Sequence, residues 1–191
     1  METKSLFTTI SAGKYKHKKI ELPSLESTRS TKAILKGSLF DTLQYDIVDE
    51  VFVEVFGGSG SMGLEALSRG AKHAYFIEKD KAAFSILKRN CESIDKAHTT
   101  AMQGDSFILF PTLLNTFTCK AYFYFDPPFS IRDGMENVYE KVLSLIAMIP
   151  QEKVHLIAIE HMTTLALPET IGSFSRHKTK KFGKSSLSYY M

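Results

Sequence analysis

The sequence predicts an α/β protein built on a doubly wound, mostly parallel sheet. Three observations predict it. Apolar, β-rich runs alternate with helical spacings from Val51 to Glu160. A glycine-rich loop joins the first of those runs to the helix after it. The chemically unusual residues Gly58, Glu78, Asp105 and Asp126 each fall where a strand ends, the edge at which sheets of this class bind ligands.

Taken in order, Gly13–Leu22 alternates loosely and reads as a strand, broken by Pro23 and Ser24. Thr31–Leu43 carries Ile34, Leu35, Leu39, Phe40 and Leu43 at helical spacing. Val51–Phe56 is apolar enough for a strand buried on both faces. The loop Gly57–Gly63 follows, then a helix over Leu64–Arg69. Ala74–Ile77 is the second strand of the sheet. Lys81–Ile94 is a helix with Phe84, Leu87, Cys91 and Ile94 on one side. Thr99–Gln103 is a short third strand. The helical spacing of Phe107–Asn115 is interrupted at Pro111. Ala121–Phe125 is the fourth strand, Met135–Ile149 a helix stopped by Pro150, and Val154–Glu160 the fifth strand. Ser173–Lys181 and Ser185–Tyr190 flank a tight turn containing Gly183, so they must pair antiparallel.

With 191 residues and 43% apolar composition, the chain can bury a core without disulfides or metals, which excludes a disordered tail or a disulfide scaffold. The longest apolar run, Val142–Ile149, is far short of a membrane span, and no apolar stretch follows the first residues as in a signal peptide. Cys91 and Cys119 match no metal spacing, and the six histidines show no ligand pattern, so no metal is expected. A cytoplasmic monomer is the expectation. The net charge of +3 hides an asymmetry: residues 1–40 carry +5, residues 176–191 carry +5, and the body between carries −7. Lys14, Lys16, Lys18 and Lys19 cluster early; Arg176, Lys178, Lys180, Lys181 and Lys184 cluster late. Basic ends on an acidic body suit a polyanionic partner, or serve only solubility.

Gly58, Gly60 and Gly63 stand at the G-x-G-x-x-G spacing after a strand and before a helix. Glycines there permit a tight turn and close approach of a ligand to the backbone. Glu78 can accept both hydroxyl protons of an adenosine ribose. Asp105 can accept from an adenine amine, or cap a helix beginning at Ser106. Glu54 faces either a ligand amino group or a loop amide. Phosphate binders need bare amides or cations; three carboxylates and no loop lysine suit a cationic sulfonium better. Asp126-Pro127-Pro128-Phe129 places a carboxylate, a carbonyl freed by proline and an aromatic ring at a strand end. Asp126 and the Pro127 carbonyl would accept the two N–H bonds of an exocyclic amine while Phe129 stacks on its ring. Acceptors on both hydrogens favour a pyramidal nitrogen whose lone pair attacks a methyl group.

At these residues the chain resembles the RsmD-type guanine-N2 methyltransferases of bacterial small-subunit ribosomal RNA. The resemblance begins at Ser11–Ile20, runs through Thr28–Thr31 and Leu39-Phe40, and is closest at Phe56–Ala71. It continues through Phe76–Glu78 and Asp126–Phe129 and ends with Phe182–Tyr190. It implies a Rossmann-like methyltransferase sheet over residues 46–191, behind a basic extension (strand or hairpin plus helix) over 1–45. It implies S-adenosylmethionine as donor and a guanine amine of 16S rRNA as acceptor, in the small subunit or an assembly intermediate. The family's donor site falls on Glu54, Phe56, Gly57, Gly58, Ser59, Gly60, Gly63, Glu78, Lys79, Asp105 and Ser106. Its catalytic motif falls on Asp126, Pro127, Pro128 and Phe129. Lys14, Lys16, Lys18, Lys19, Arg29 and Lys36 are the expected RNA contacts. Glu54 replaces the family's usual Asp, and Ala33, Ile34 and Gly37 replace an Asp-Arg pair and a Glu in the helix before the loop. Two other readings stay open: an amino methyltransferase on another base or substrate, of the adenine-N6 kind, and a non-catalytic RNA-binding or assembly factor on the same fold.

Overall fold

Eight strands form the central sheet, in the order β5-β4-β3-β6-β7-β10-β9-β8. Here β3 is Val51–Glu54, β4 His73–Glu78, β5 Thr99–Gln103, β6 Ala121–Phe125, β7 Val154–Met162, β8 Thr170–Ile171, β9 Phe174–Phe182 and β10 Ser185–Tyr190. A separate two-stranded hairpin, β1 (Leu6–Thr9) with β2 (Lys19–Leu22), precedes them. The computed structural model describes residues 6–23, 29–128 and 137–191, and of residues 29–31 only the backbone. Five strands, β3 to β7, run parallel, and the strand order reverses between β3 and β6. β10 pairs antiparallel with β7, β9 with β10, and β8 with β9. The reversal point is where a parallel sheet opens a crevice at its carboxyl edge.

Alternation along the strands divides the core between the two faces. On one, Phe52, Phe76, Tyr124, Leu187 and Tyr189 pack under α1 (Arg29–Leu43), α2 (Ser61–Ser68) and α3 (Lys81–Asp95). On the other, Val53, Ile77, Phe123, Phe125 and Ile157 pack under α4 (Ser106–Thr116) and α5 (Val138–Ala147). Helix α4 runs through Pro111, against the expected interruption. Burial of Phe110, Leu113 and Leu114 offsets the missing backbone donor, which costs about 3 kcal/mol in a helix interior. The two-residue strand β8 had no signal in the sequence.

Of the two expected forms, strand or hairpin, the N-terminal segment takes the hairpin, and Gly13–Leu22 is not one continuous strand. Residues 13–17 form a turn between β1 and β2. Gly13 has φ +82°, and a Cβ there would sit 1.7 Å from the Ser68 carbonyl oxygen. The turn therefore lies against the C-terminal end of α2, where Lys14 and Tyr15 donate their amides to Ser68. Asn90 of α3 fixes β2 by bonding the amide and carbonyl of Glu21 and the carbonyl of Ser59.

Lys36 is a correction to the expected RNA contacts. Its helix faces the core, so the ammonium is buried, 3.1 Å from Glu65 Oε2 and 3.1 Å from the Thr9 carbonyl. Glu65 has no exposure and also accepts from Ser11 and Arg69. Burial raises its pKa, but Lys36, Ser11 and Arg69 outweigh that and hold it below the usual range. Glu65→Ala leaves the Lys36 charge buried and unpaired. The expected cost is about 3–5 kcal/mol, read as the loss in a urea unfolding midpoint at unchanged slope.

Candidate active site

The residues at the carboxyl edge surround an open cleft. Its wall comes from the loop after β3, from Tyr124 and Asp126 of β6, from Lys32 and Ala33 of α1, and from Thr8 and Leu22 of the hairpin. The loop is shaped by its glycines in two different ways. Gly58 has φ +50°, and a Cβ there would meet nothing within 4 Å, so its backbone faces open space. Gly60, at φ +78°, and Gly63 lie against the core: a Cβ would meet Leu87 at 2.6 Å and the Phe76 ring at 2.4 Å. Gly58 can admit a ligand; Gly60 and Gly63 let the loop and α2 settle onto α3 and β4. Gly57 donates its amide to the Ile77 carbonyl, tying the loop to β4.

Three carboxylates frame the loop. Glu54, at the end of β3 and 4% exposed, accepts from the Gly63 amide at 2.8 Å. Burial pushes it up to about 8, against the pull of the Gly63 and Met62 amides. Glu78, at the end of β4, accepts from the Gly58 amide and from the Asp80 amide, each at 2.7 Å. Asp105 follows β5 and caps α4, accepting from Phe107 at 2.9 Å. Its carboxyl is held below the usual range first by Lys79, whose ammonium lies 2.8 Å away. Both of the open readings of Asp105 remain compatible, since the cap uses Oδ1 and the lysine Oδ2. Ser106 turns inward, its hydroxyl donating to the Val55 carbonyl at 2.6 Å. Phe56 lines the cleft and meets the Phe107 ring edge to face.

S-adenosylmethionine fits these residues. A carboxylate at the β4 end suits ribose hydroxyls, the open backbone at Gly58 suits close approach, and the cleft wall holds Glu54 for a cationic ligand. A cation brought beside Glu54 would return its neutralised carboxyl to the charged form. Among the described residues no group of three His, Cys, Asp or Glu side chains is placed to hold a metal ion. No described helix is long and apolar enough to cross a membrane.

Asp126 stands at the end of β6, beside the donor loop, with a quarter of its side chain exposed. Pro127 behind it is buried. Phe129 lies outside the described residues, as does the side chain of Arg29. Three residues that sequence reasoning passed over surround Asp126. Lys32 of α1 places its ammonium 2.6 Å from Asp126 Oδ2 and 3.2 Å from Glu160 Oε1. Tyr124 donates its hydroxyl to Glu160 Oε2 at 2.6 Å. Glu160 ends the predicted fifth strand, so the rule that singled out Glu78 and Asp126 applied to it equally.

Lys14, Lys16, Lys18 and Lys19 are exposed. Lys19 is on β2, paired with Thr9 and with its ammonium over the Phe7 ring, close to Thr8 and Leu22 of the cleft wall. Lys14 and Lys16 sit in the turn at the far end of the hairpin. Their turn rests on Ser68 and on Asp95, which Tyr15 bonds at 2.6 Å. These residues end α2 and α3, whereas the cleft is at the start of both. With a 15-residue helix between, the separation is about 20 Å. Lys181 and Lys184 are exposed at the opposite edge, where the β9–β10 turn meets the end of β7 through the Thr163 amide and the Lys184 carbonyl.

The comparisons with known proteins agree with this architecture. A family model described as conserved hypothetical protein 95 matches residues 8–191. Ribosomal RNA small subunit methyltransferase D of Escherichia coli K12 is 28% identical over 181 residues, 95% of this chain and 88% of its own length. The Haemophilus influenzae protein of the same name is 31% identical over 141 residues, 72% of this chain and 69% of its own length. The solved Escherichia coli methyltransferase yhhF superposes with a TM-score of 0.76 at 26% identity, covering 97% of each chain. With the family model spanning all but the first few residues and the fold shared end to end, the chain belongs to the RsmD-type methyltransferase family.

Proposed function

We propose that the protein transfers a methyl group from S-adenosylmethionine to the exocyclic N2 amine of a guanine in small-subunit ribosomal RNA. The observation that carries the reading is the position of Asp126: a carboxylate at the end of β6, on the same cleft as the donor loop. Its relatives named as small-subunit rRNA methyltransferases support RNA as the acceptor class.

When bound, S-adenosylmethionine supplies an electrophilic methyl group on sulfur, which keeps the bonding pair and leaves as a neutral thioether. The protein's part is to bring the amine into line and to manage its protons. Asp126 accepts one N–H bond and the Pro127 carbonyl the other, so the nitrogen lone pair turns toward the methyl carbon. As the N–C bond forms, the nitrogen becomes cationic and releases a proton to Asp126 and then to water. A base buried in a duplex cannot reach this cleft, so the target is an unstacked nucleotide.

We assign the RNA contacts at the cleft mouth to Lys181 and Lys184, on the β9–β10 turn at the end of β7, and to Lys19 on β2; Lys14 and Lys16 grip only RNA that reaches past the far edge. Lys181→Glu with Lys184→Glu is expected to weaken RNA binding and to flatten its salt dependence by about one unit of log–log slope per lysine. Donor affinity stays unchanged. The check is filter binding at several salt concentrations; equal loss on reversing Lys14 and Lys16 alone would move the RNA path to that edge. The reading itself is tested by incubating the protein and methyl-labelled S-adenosylmethionine with small subunits lacking native methylation, and with naked 16S rRNA. Label in the RNA is the expected result; label in ribosomal protein, or none while the donor binds, would overturn it.

A further inference from the structure

Asp126 is one of two carboxylates sharing one cation. The Lys32 ammonium lies 2.6 Å from Asp126 Oδ2, 3.2 Å from Glu160 Oε1 and 3.3 Å from Glu160 Oε2. Glu160 has no exposure. Its Oε2 accepts from Tyr124, while Oε1 receives no hydrogen bond among the described residues and is faced by the lysine charge. An ionised carboxylate is costly to bury, and it persists only where a charge partner compensates. Lys32 is itself partly exposed on the cleft wall, so it stands between the buried acid and the place where a target amine meets Asp126.

The chemistry gives this arrangement a task. Asp126 can accept an N–H only as an anion or through its carbonyl oxygen. Two carboxylates this near to one cation repel each other when it is removed. Asp126 would then turn away from the place where the amine needs its acceptor. Among the described residues, the titratable groups that face Glu160 are Lys32 from α1, Tyr124 and Asp126 from β6, and Tyr139 from α5. Its partner on β10 is the apolar Leu187. Burial and then Asp126 push Glu160 up to about 7, while Lys32 and the Tyr124 hydroxyl pull it down.

We propose that Lys32 is a positioning residue for methyl transfer, held between buried Glu160 and Oδ2 of Asp126 so that the Asp126 carboxylate is fixed in place and aimed at the target amine. The inference rests on the amine-methylation reading above. Lys32 acts through Asp126, and Glu160 acts through Lys32. Neither residue is asked to move a proton of the substrate.

The test uses the full chain and four variants: Lys32→Met, Lys32→Arg, Glu160→Gln and the double Lys32→Met/Glu160→Gln. Single-turnover methyl transfer to small-subunit rRNA is measured against RNA concentration, with S-adenosylmethionine affinity by calorimetry as the check that each variant is folded. Lys32→Met is expected to lower the rate at saturating RNA about tenfold or more while RNA affinity stays near wild type, a split that a merely structural role would not give. Glu160→Gln, which leaves Lys32 paired with Asp126, loses less. The double variant removes the unpaired buried anion and recovers most of what Lys32→Met loses, and Lys32→Arg keeps most of the wild-type rate. Donor affinity stays within about threefold throughout. A Lys32→Met rate at the wild-type level, or a double variant no faster than Lys32→Met, would overturn the proposal. A wild type that binds the donor and methylates no RNA would overturn the function reading and the proposal with it.

Discussion

Asp126→Ala is expected to lower single-turnover methyl transfer by at least ~10²-fold, the scale on which a positioned acceptor or general base contributes. Donor affinity should change by no more than about threefold, because the donor loop is held by other groups: Gly57 by Ile77, Gly58 by Glu78 and Gly63 by Glu54. The substitution also removes one of the two anions around Lys32, so Asp126→Asn is the informative companion. Asparagine keeps an acceptor oxygen of the same reach but no charge, and should retain more activity than alanine. Rapid-quench measurement with labelled donor reads both. Turnover of the alanine variant within tenfold of wild type would take Asp126 out of the chemistry.

Glu78→Ala should produce the second large effect, on donor binding rather than on the rate. The Glu78 carboxylate is the anchor of the Gly58 amide and the expected acceptor of ribose hydroxyls. Hydrogen bonds to a charged group contribute about 1.5–3 kcal/mol, so donor affinity should fall by roughly 10- to 100-fold. Transfer at saturating donor should stay near wild type, since Glu78 ends β4 and Asp126 follows β6. Calorimetry with S-adenosylmethionine and its product thioether measures this; unchanged affinity would place the ribose elsewhere in the cleft.

Much of the scaffold was legible because its period is simple. β5, β6 and β10 fall on the predicted residues, and α3 within one residue of its predicted end. A parallel strand buried on both faces leaves an apolar run, and each helix between leaves a one-sided stripe. Local pattern says less about the N-terminal segment, where a turn at Gly13 and its seat on Ser68 are set by tertiary contact. It also misled at Lys36, because a lysine on a helix is usually solvated; here burial follows from Glu65 one layer beneath it. In the cleft, Glu54, Gly58, Glu78 and Asp126 share one edge because each ends or follows a parallel strand. Glu160 obeys the same rule, yet its strand runs on to Met162 and hides the carboxylate as a core position. Lys32 carried no signal at all: no periodicity tells that the first turn of α1 lies over the ends of β6 and β7. Gly60 and Gly63 read as ligand contacts in the motif, whereas their space is taken by Leu87 and Phe76.

The central claim is that a guanine N2 amine meets a bound S-adenosylmethionine at Asp126. The direct measurement is the identity of the modified nucleoside. RNA labelled by the wild-type protein and by Asp126→Ala would be digested to nucleosides, separated and compared with standards. The account predicts label in N2-methylguanosine with the wild type and almost none with Asp126→Ala. Label in N6-methyladenosine or another nucleoside, or equal label from both proteins, would contradict it.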